Sequence, residues 1–388
     1  MKSGVAVVAH GGGPTSVINA SLAGVIEQAR AEGISSLLGA RNGIAGVLED
    51  RFLDLFAQSP ERVEAIAATP SSALGTSRMS VADADYERII DVFRRRGVRW
   101  FFYNGGNGSM YLASQVARAA QAAGYELCVA GIPKTIDNDI AGTDHTPGYG
   151  SCARFFAHAV RDIGADLRAL AGRVTFVETL GRNAGWIVAA TALARHREDD
   201  APHLVYLPER RVSADEICAD VERVFRRFGF AVIAVCEGLT NERGEPFGAD
   251  MLPPDGFKRQ LAGNLAHTLS RIVGNRTGLK TRSEKPGLFG RSCGGYVSEV
   301  DRAEARMCGR AAVAAAAAGE SGKMVTLVRE PGAEYRCATG LAALEEAAYA
   351  ERTFPSEWIA PEGADVMPEF LEWVRPLAGT ITPLARFE

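Results

Sequence analysis

No C-x-x-C pair occurs among the seven cysteines, which are odd in number and scattered from Cys128 to Cys337. That pattern excludes a disulfide framework and a structural zinc site, and it fits a reducing cytoplasm. The six histidines carry no metal-ligand spacing either. No apolar run reaches the length of a membrane span, and Met1-Lys2-Ser3 leads into a strand pattern with no signal-peptide pattern. Charge of one sign is also lacking: a net charge of −4 over 388 residues leaves no basic footprint for nucleic acid or an anionic membrane. Neither the dinucleotide fingerprint G-x-G-x-x-G nor the G-K-[ST] of a phosphate-binding P-loop is present, and no short-period repeat is seen. With 47% hydrophobic and 23% charged residues, the chain is a soluble globular protein of a length that favours two domains or one large one.

What is present is a series of apolar strands that end in polar or glycine-rich turns. Val5–Ala9 runs into His10-Gly11-Gly12-Gly13-Pro14-Thr15-Ser16 and then an amphipathic helix from about Val17 to Ala31. Trp100–Tyr103 runs into Asn104-Gly105-Gly106-Asn107-Gly108-Ser109 and a helix from about Met110 to Ala123. A strand followed by a glycine loop and a helix offers bare backbone N–H groups and a helix N-terminus to a phosphate. A third strand, Leu127–Ala130, is stopped at Pro133 and leads to Lys134-Thr135-Ile136-Asp137-Asn138-Asp139. In an extended segment, carboxylates at i and i+2 point to one side, so one of Asp137 and Asp139 could take a proton while the other held a metal. Three strand ends of one sheet would thus converge on a phosphoryl-transfer site.

Further strands are expected at Ser35–Ala40, Val174–Glu178, His203–Leu207, Ala231–Cys236 and Met324–Val328. Helices are expected at Ser59–Ala68, Tyr149–Leu170, Ala184–Arg195, Ala214–Phe228, Lys258–Val273 and Arg302–Ala317, with a loop over Gly244–Asp255. This alternation implies a second parallel sheet.

The blocks Gly105-Gly106-Asn107-Gly108-Ser109 and Pro133-Lys134-Thr135-Ile136-Asp137-Asn138-Asp139 resemble the phosphofructokinase family. So do Thr179-Leu180-Gly181-Arg182-Asn183-Ala184-Gly185-Trp186, Leu207-Pro208-Glu209-Arg210 and Cys236-Glu237-Gly238. The resemblance implies an α/β fold of two Rossmann-like three-layer domains, with mainly parallel sheets facing across a cleft. The donor-binding domain would comprise residues 1–148 and about 291–350; the sugar-phosphate-binding domain would comprise 149–290 and about 351–388. It also implies a kinase that moves a phosphoryl group from ATP or pyrophosphate to a ketose phosphate, most simply fructose 6-phosphate, with Mg²⁺.

Residue roles follow from the same resemblance. Asp137 matches the base, with Thr135 and Arg182 beside the transferred group. Gly12, Gly13, Arg78, Gly106, Asn107, Gly108, Ser109 and Lys134 match the donor site, and Asp139 with Asn107 the metal site. Leu180, Gly181, Glu237, Arg173, Arg282 and Arg291 match the acceptor site. In bacterial members Arg173 and Arg282 reach in from a neighbouring subunit, which implies a homodimer or homotetramer with shared sites. Four positions depart from the family pattern: Asn107 for an aspartate, Val17 for a glycine, Leu288 for a histidine and Gly290 for a glutamine. They leave room for a paralogue acting on another ketose phosphate, or a catalytically weak sugar-phosphate-binding subunit. Gly108 is the residue of ATP users and Lys134 that of pyrophosphate users. Because glycine leaves a nucleotide's path open, the balance is set toward ATP.

Overall fold

The computed structural model describes residues 2–247 and 264–387. The chain divides into two compact units, residues 1–149 with 291–352 and residues 150–290 with 353–388. The first unit holds β1 (Lys2–His10), β2 (Ile34–Ala40), β3 (Phe52–Asp54), β4 (Val98–Gly105) and β5 (Cys128–Pro133). The second holds β6 (Val174–Thr179), β7 (Leu204–Tyr206), β8 (Ala231–Cys236) and β9 (Thr281–Glu284); β10 (Lys323–Arg329) and β11 (Cys337–Ala343) return to the first.

The first sheet runs β11-β10-β5-β4-β1-β2-β3. Its five inner strands are parallel, and β3 and β11 join the two edges antiparallel. Parallel strands buried on both faces need apolar side chains on both, and β1 supplies them in alternation. Ala6 and Val8 face a cluster with Leu22 and Val25 of the helix Ile18–Ala31 and Cys308 and Ala312 of the helix Glu299–Ala317. Val7 and Ala9 face Phe93 of the helix Asp83–Arg96 and Met110 and Val116 of the helix Asn107–Ala122. Three layers result. The helix Asp83–Arg96 was not expected from sequence, since its strong charge masks a narrow apolar stripe. Its ends are nonetheless signalled, by Asp83 and Asp85 in the first turn, Arg94–Arg96 in the last, and Gly97 at φ 66° after it.

The second sheet runs β7-β8-β6-β9, all parallel. One face packs on the helices Ala214–Phe228 and Leu265–Thr277, the other on Val160 and Leu167 of the helix Tyr149–Ala169. The final segment joins this unit through an aromatic cluster. Trp186 is fully buried, with its ring centroid 5.2 Å from those of both Phe354 and Trp373. The helix expected at Ala184–Arg195 is shorter: Trp186–Ala190 is α-helical and Thr191–Ala194 tightens to 3-10. Residues 248–255 of the expected loop and 258–263 of the expected helix lie outside the described residues. No helix among the described residues is long and apolar enough to cross a membrane.

Candidate active site

Three strand ends of the first unit do come together, as the strand–glycine–helix pattern requires. β1, β4 and β5 are neighbours, with His10 in register with Asn104 and Asn104 with Ile132. The loop after β1 folds back on the Gly75–Arg78 segment: Gly12 has φ 74°, and its N–H donates to Ser77 O at 3.1 Å. Cations line that loop. Lys134 Nζ donates to Gly13 O at 2.6 Å. A Cβ added to Gly13 would stand 2.5 Å from Arg291 Nη1 and 3.6 Å from Arg78 Nη2, so both guanidinium groups lie against this glycine. Lys134 is buried, and burial lowers its pKa to about 8; Asp137 and Asp139 oppose that shift, while Arg291 and Arg78 add to it. Arg291, expected among the acceptor's arginines, therefore lies against the glycine loop after β1, which the resemblance assigned to the donor.

The motif after β5 departs from the extended geometry expected of it. Asn138 sits in the left-handed region at φ 56°, so Asp137 and Asp139 are not set to one side by strand alternation. Asparagine tolerates this conformation, and its side chain stabilises it: Oδ1 accepts from Thr146 N at 3.0 Å. The two carboxylates remain close enough to couple. Burial pushes the Asp139 carboxyl up, and the charge of Asp137 raises it further. Thr135 Oγ1 accepts from Asp137 N at 3.1 Å, which orients the base candidate's backbone.

The second glycine loop also differs from expectation. Its helix starts at Asn107, three residues early, with Gly106 as the N-cap; Gly108 thus lies inside the first turn and is exposed. Ser109 is buried, with its hydroxyl turned inward: Cβ atoms built on Gly11 and Gly105 would fall 2.3 and 2.0 Å from its Oγ. Asn107 Nδ2 donates to Asp139 Oδ2 at 3.2 Å, while Asn107 Oδ1 is buried with no hydrogen-bond partner among the described residues. The unpartnered amide oxygen of Asn107 and the carboxylate of Asp139 are oxygen ligands of the type that suits a hard divalent cation such as the Mg²⁺ the family implies. Val17, at φ −121°, adopts a conformation open to any residue, so no glycine is needed there.

In the second unit, Gly181 (φ 125°) and Arg182 (φ 52°) turn sharply after β6, and Arg182 N donates to Glu237 Oε1 at 3.3 Å. Leu180 is half-buried beside them. Burial raises the pKa of Glu237, and Glu178 adds to it against Arg182 and Lys285. Arg173 and Arg282 lie elsewhere. Arg173 precedes β6 and Arg282 pairs with Thr175 on its second residue, whereas Arg182 follows the far end. The six residue steps from Arg173 to Thr179 span ~20 Å of strand. Neither guanidinium group has a hydrogen-bonded or ion-paired partner among the described residues. Gly290 packs under an aromatic ring, where a Cβ would stand 2.4 Å from Phe156 Cε2. Leu288 is exposed.

Sequence reasoning gave no role to His10 and Asn104, which the register places side by side. Both are fully buried, and His10 Nε2 and both amide atoms of Asn104 have no hydrogen-bond partner among the described residues. Ser72 Oγ donates to Gly75 O, so the 2.7 Å contact with His10 Nδ1 requires the proton on that nitrogen. Burial, and then the charge of Lys134, lower the His10 pKa to about 3, leaving Nε2 a bare acceptor. A polar residue at the carboxyl end of a parallel strand was the available signal.

A sheet with two glycine loops and cations at its carboxyl edge, followed by an aspartate pair, is the architecture of a phosphoryl-transfer protein. Residues 5–316 match the phosphofructokinase family model, and the chain belongs to that family. It is 40% identical to the pyrophosphate–fructose 6-phosphate 1-phosphotransferase of Rhodospirillum rubrum, over 99% of this chain and 96% of that protein. It is 37% identical to the enzyme of the same name from Xanthomonas campestris, over 99% and 94%. The solved pyrophosphate-dependent phosphofructokinase of Marinobacter aquaeolei superposes with a TM-score of 0.88 at 32% identity, covering 99% of this chain and 94% of that one.

Proposed function

We propose that this chain transfers a phosphoryl group from pyrophosphate to the 1-hydroxyl of fructose 6-phosphate. The observation that carries the reading is the pairing of Lys134, Arg78 and Arg291 on one glycine loop with Asp137 and Asp139 after the adjoining strand. Such cations suit a small, highly charged donor, and the carboxylate of Asp137 accepts the proton of the attacking hydroxyl. Asp139 and Asn107 would hold Mg²⁺, which neutralises charge on the donor oxygens when bound. Arg182 is assigned to charge on the transferred group, and Glu237 to the sugar hydroxyls. Arg173 and Arg282, at the opposite end of their sheet, are assigned to the acceptor phosphate of a neighbouring subunit in a homo-oligomer.

The balance toward ATP finds no support in the two relatives of 37–40% identity, whose names specify pyrophosphate. Its basis in Gly108 is also weak, since that residue lies exposed within a helical turn, whereas Lys134 is buried and fixed to the donor loop. The test is kcat/KM for pyrophosphate and for ATP with fructose 6-phosphate and excess Mg²⁺. A preference for pyrophosphate of at least about tenfold, 1.4 kcal/mol, is expected; equal use or a preference for ATP would refute the donor assignment.

One observation favours a second acceptor reading. The ring of Phe156 fills the space beside Gly290, where the family pattern places a glutamine, so the acceptor pocket has lost a hydrogen-bonding side chain. A panel of ketose phosphates, compared by kcat/KM, separates a longer sugar from fructose 6-phosphate.

A further inference from the structure

The segment between Thr135 and Gly148 is closed on itself and then fastened from outside. Thr146 joins its ends, taking Asn138 Oδ1 on its N–H at 3.0 Å and giving its hydroxyl to Thr135 O at 2.9 Å. Asp144 N donates to Leu327 O on β10, and Gly148 N donates to Asp301 Oδ1 at 2.7 Å. Between these anchors lies His145, 2% exposed. Its Nδ1 is 2.7 Å from Asp144 Oδ1 and its Nε2 is 2.7 Å from Glu304 Oε2, on the helix Glu299–Ala317. Ionised carboxylates only accept, so an imidazole held by one on each nitrogen carries both protons. Every neighbouring element adds to this network. Tyr335, between β10 and β11, donates to Glu304 Oε1 at 2.5 Å. Arg329 of β10 reaches Asp144 Oδ1 at 3.3 Å and lies over the Tyr335 ring, and Arg352 holds the Thr143 and Asp144 carbonyls. Cys337 of β11 completes the surroundings.

We propose that His145, as a buried imidazolium clamped between Asp144 and Glu304, is a positioning residue that fixes the left-handed turn at Asn138 and hence the placement of Asp137 and Asp139. The proposal rests on the phosphoryl-transfer reading for its effect on rate, though not for its geometry. Burial alone would drive the ring neutral; the two carboxylates outweigh it and raise the pKa. The sign follows: the clamp is intact below the ordinary histidine range and is lost as pH rises through the raised value in the fold.

Glu304→Gln keeps the shape and removes one charge, and His145→Gln removes the cation. Each should lower kcat about 10–100-fold with KM for pyrophosphate and acceptor within about threefold, the scale of a small misplacement of reacting groups. In Glu304→Gln the alkaline limb of the kcat profile should move to lower pH, a change that mere loss of packing would not cause. Two NMR readouts stand without activity. Ring ¹⁵N signals of wild-type His145 should report two N–H groups at pH 6.5, where an unperturbed imidazole is only half protonated, and the amide signals of residues 137–139 should move in Glu304→Gln. Unchanged kcat in both folded variants, an unmoved limb, a ring nitrogen bare in most molecules at pH 6.5, or unmoved amides would each overturn the proposal. So would zinc retained by purified wild type at His145, Glu304 and Cys337, whose ligand atoms lie within 4.8 Å of one another, since metal on Nε2 displaces the clamping proton. A wild type inactive with every donor would sink the functional reading while the NMR readouts still decided the clamp.

Discussion

In the seven-stranded sheet, Gly12, Gly13, Gly106, Lys134 and Asp137 all follow the carboxyl ends of β1, β4 and β5, whereas the four-stranded sheet divides its candidate residues between both ends. Arg182 and Glu237 follow the carboxyl ends of β6 and β8, while Arg173 and Arg282 sit at the amino ends of β6 and β9. Ligand sites of open α/β sheets form at carboxyl ends, where connections leave room and helix N-termini converge. The first sheet obeys that rule within one chain. The second obeys it only in part, and the guanidinium groups of the two arginines at its other end have no partner among the described residues. The difference separates the residues gathered at the carboxyl ends of both sheets from two arginines at the opposite end of the second.

The largest effect should come from the first sheet. Asp137→Asn is nearly isosteric and should lower kcat by about 10²–10⁴ while leaving acceptor binding nearly intact; wild-type turnover would remove Asp137 from the chemistry and break the comparison at its stronger side. Next are the second sheet's outlying arginines. Arg173→Ala and Arg282→Ala should each weaken acceptor binding by about 1.5–3 kcal/mol, the scale of a charge-assisted hydrogen bond. Acceptor titrations that match wild type would leave those residues with no part in the site. Gly290→Gln, which supplies the family's usual side chain, should instead force Phe156 aside and cost ~1–3 kcal/mol of stability. Urea unfolding at unchanged slope measures it. The smallest effect is expected at Gly108→Asp, where an acid in the first turn of an exposed helix end should stabilise by ~0.3–1 kcal/mol. A large loss of pyrophosphate use in that variant would restore Gly108 to the donor site.

Much of this was legible in the sequence because strand patterns and glycine loops are local. Ala214–Phe228 and Ala231–Cys236 fall where the apolar periodicity put them, and Pro133 ends β5. The placements that escaped depend on contacts distant in sequence. Nothing near Asn138 signals that Thr146, eight residues on, will cap its side chain and hold φ positive. Arg291 is drawn to Gly13 by chain return from a segment nearly 300 residues later. β9 and β11 are short or weakly apolar strands, recognisable only once β6 and β10 are there to pair with them. His10 and Asn104 acquire meaning from register rather than from motif.

Mixing Asp137→Asn with Arg173→Ala under proven subunit exchange tests the division between the two sheets most directly. Each parent is expected to be crippled, one in its base and the other in its acceptor clamp. If Arg173 serves a neighbouring copy, a hybrid contains some sites with both defects and others with neither. Activity should therefore rise above that of either parent and of their unmixed sum. Hybrids that stay inactive despite exchange would contradict the account, placing Asp137 and Arg173 in the service of one and the same site.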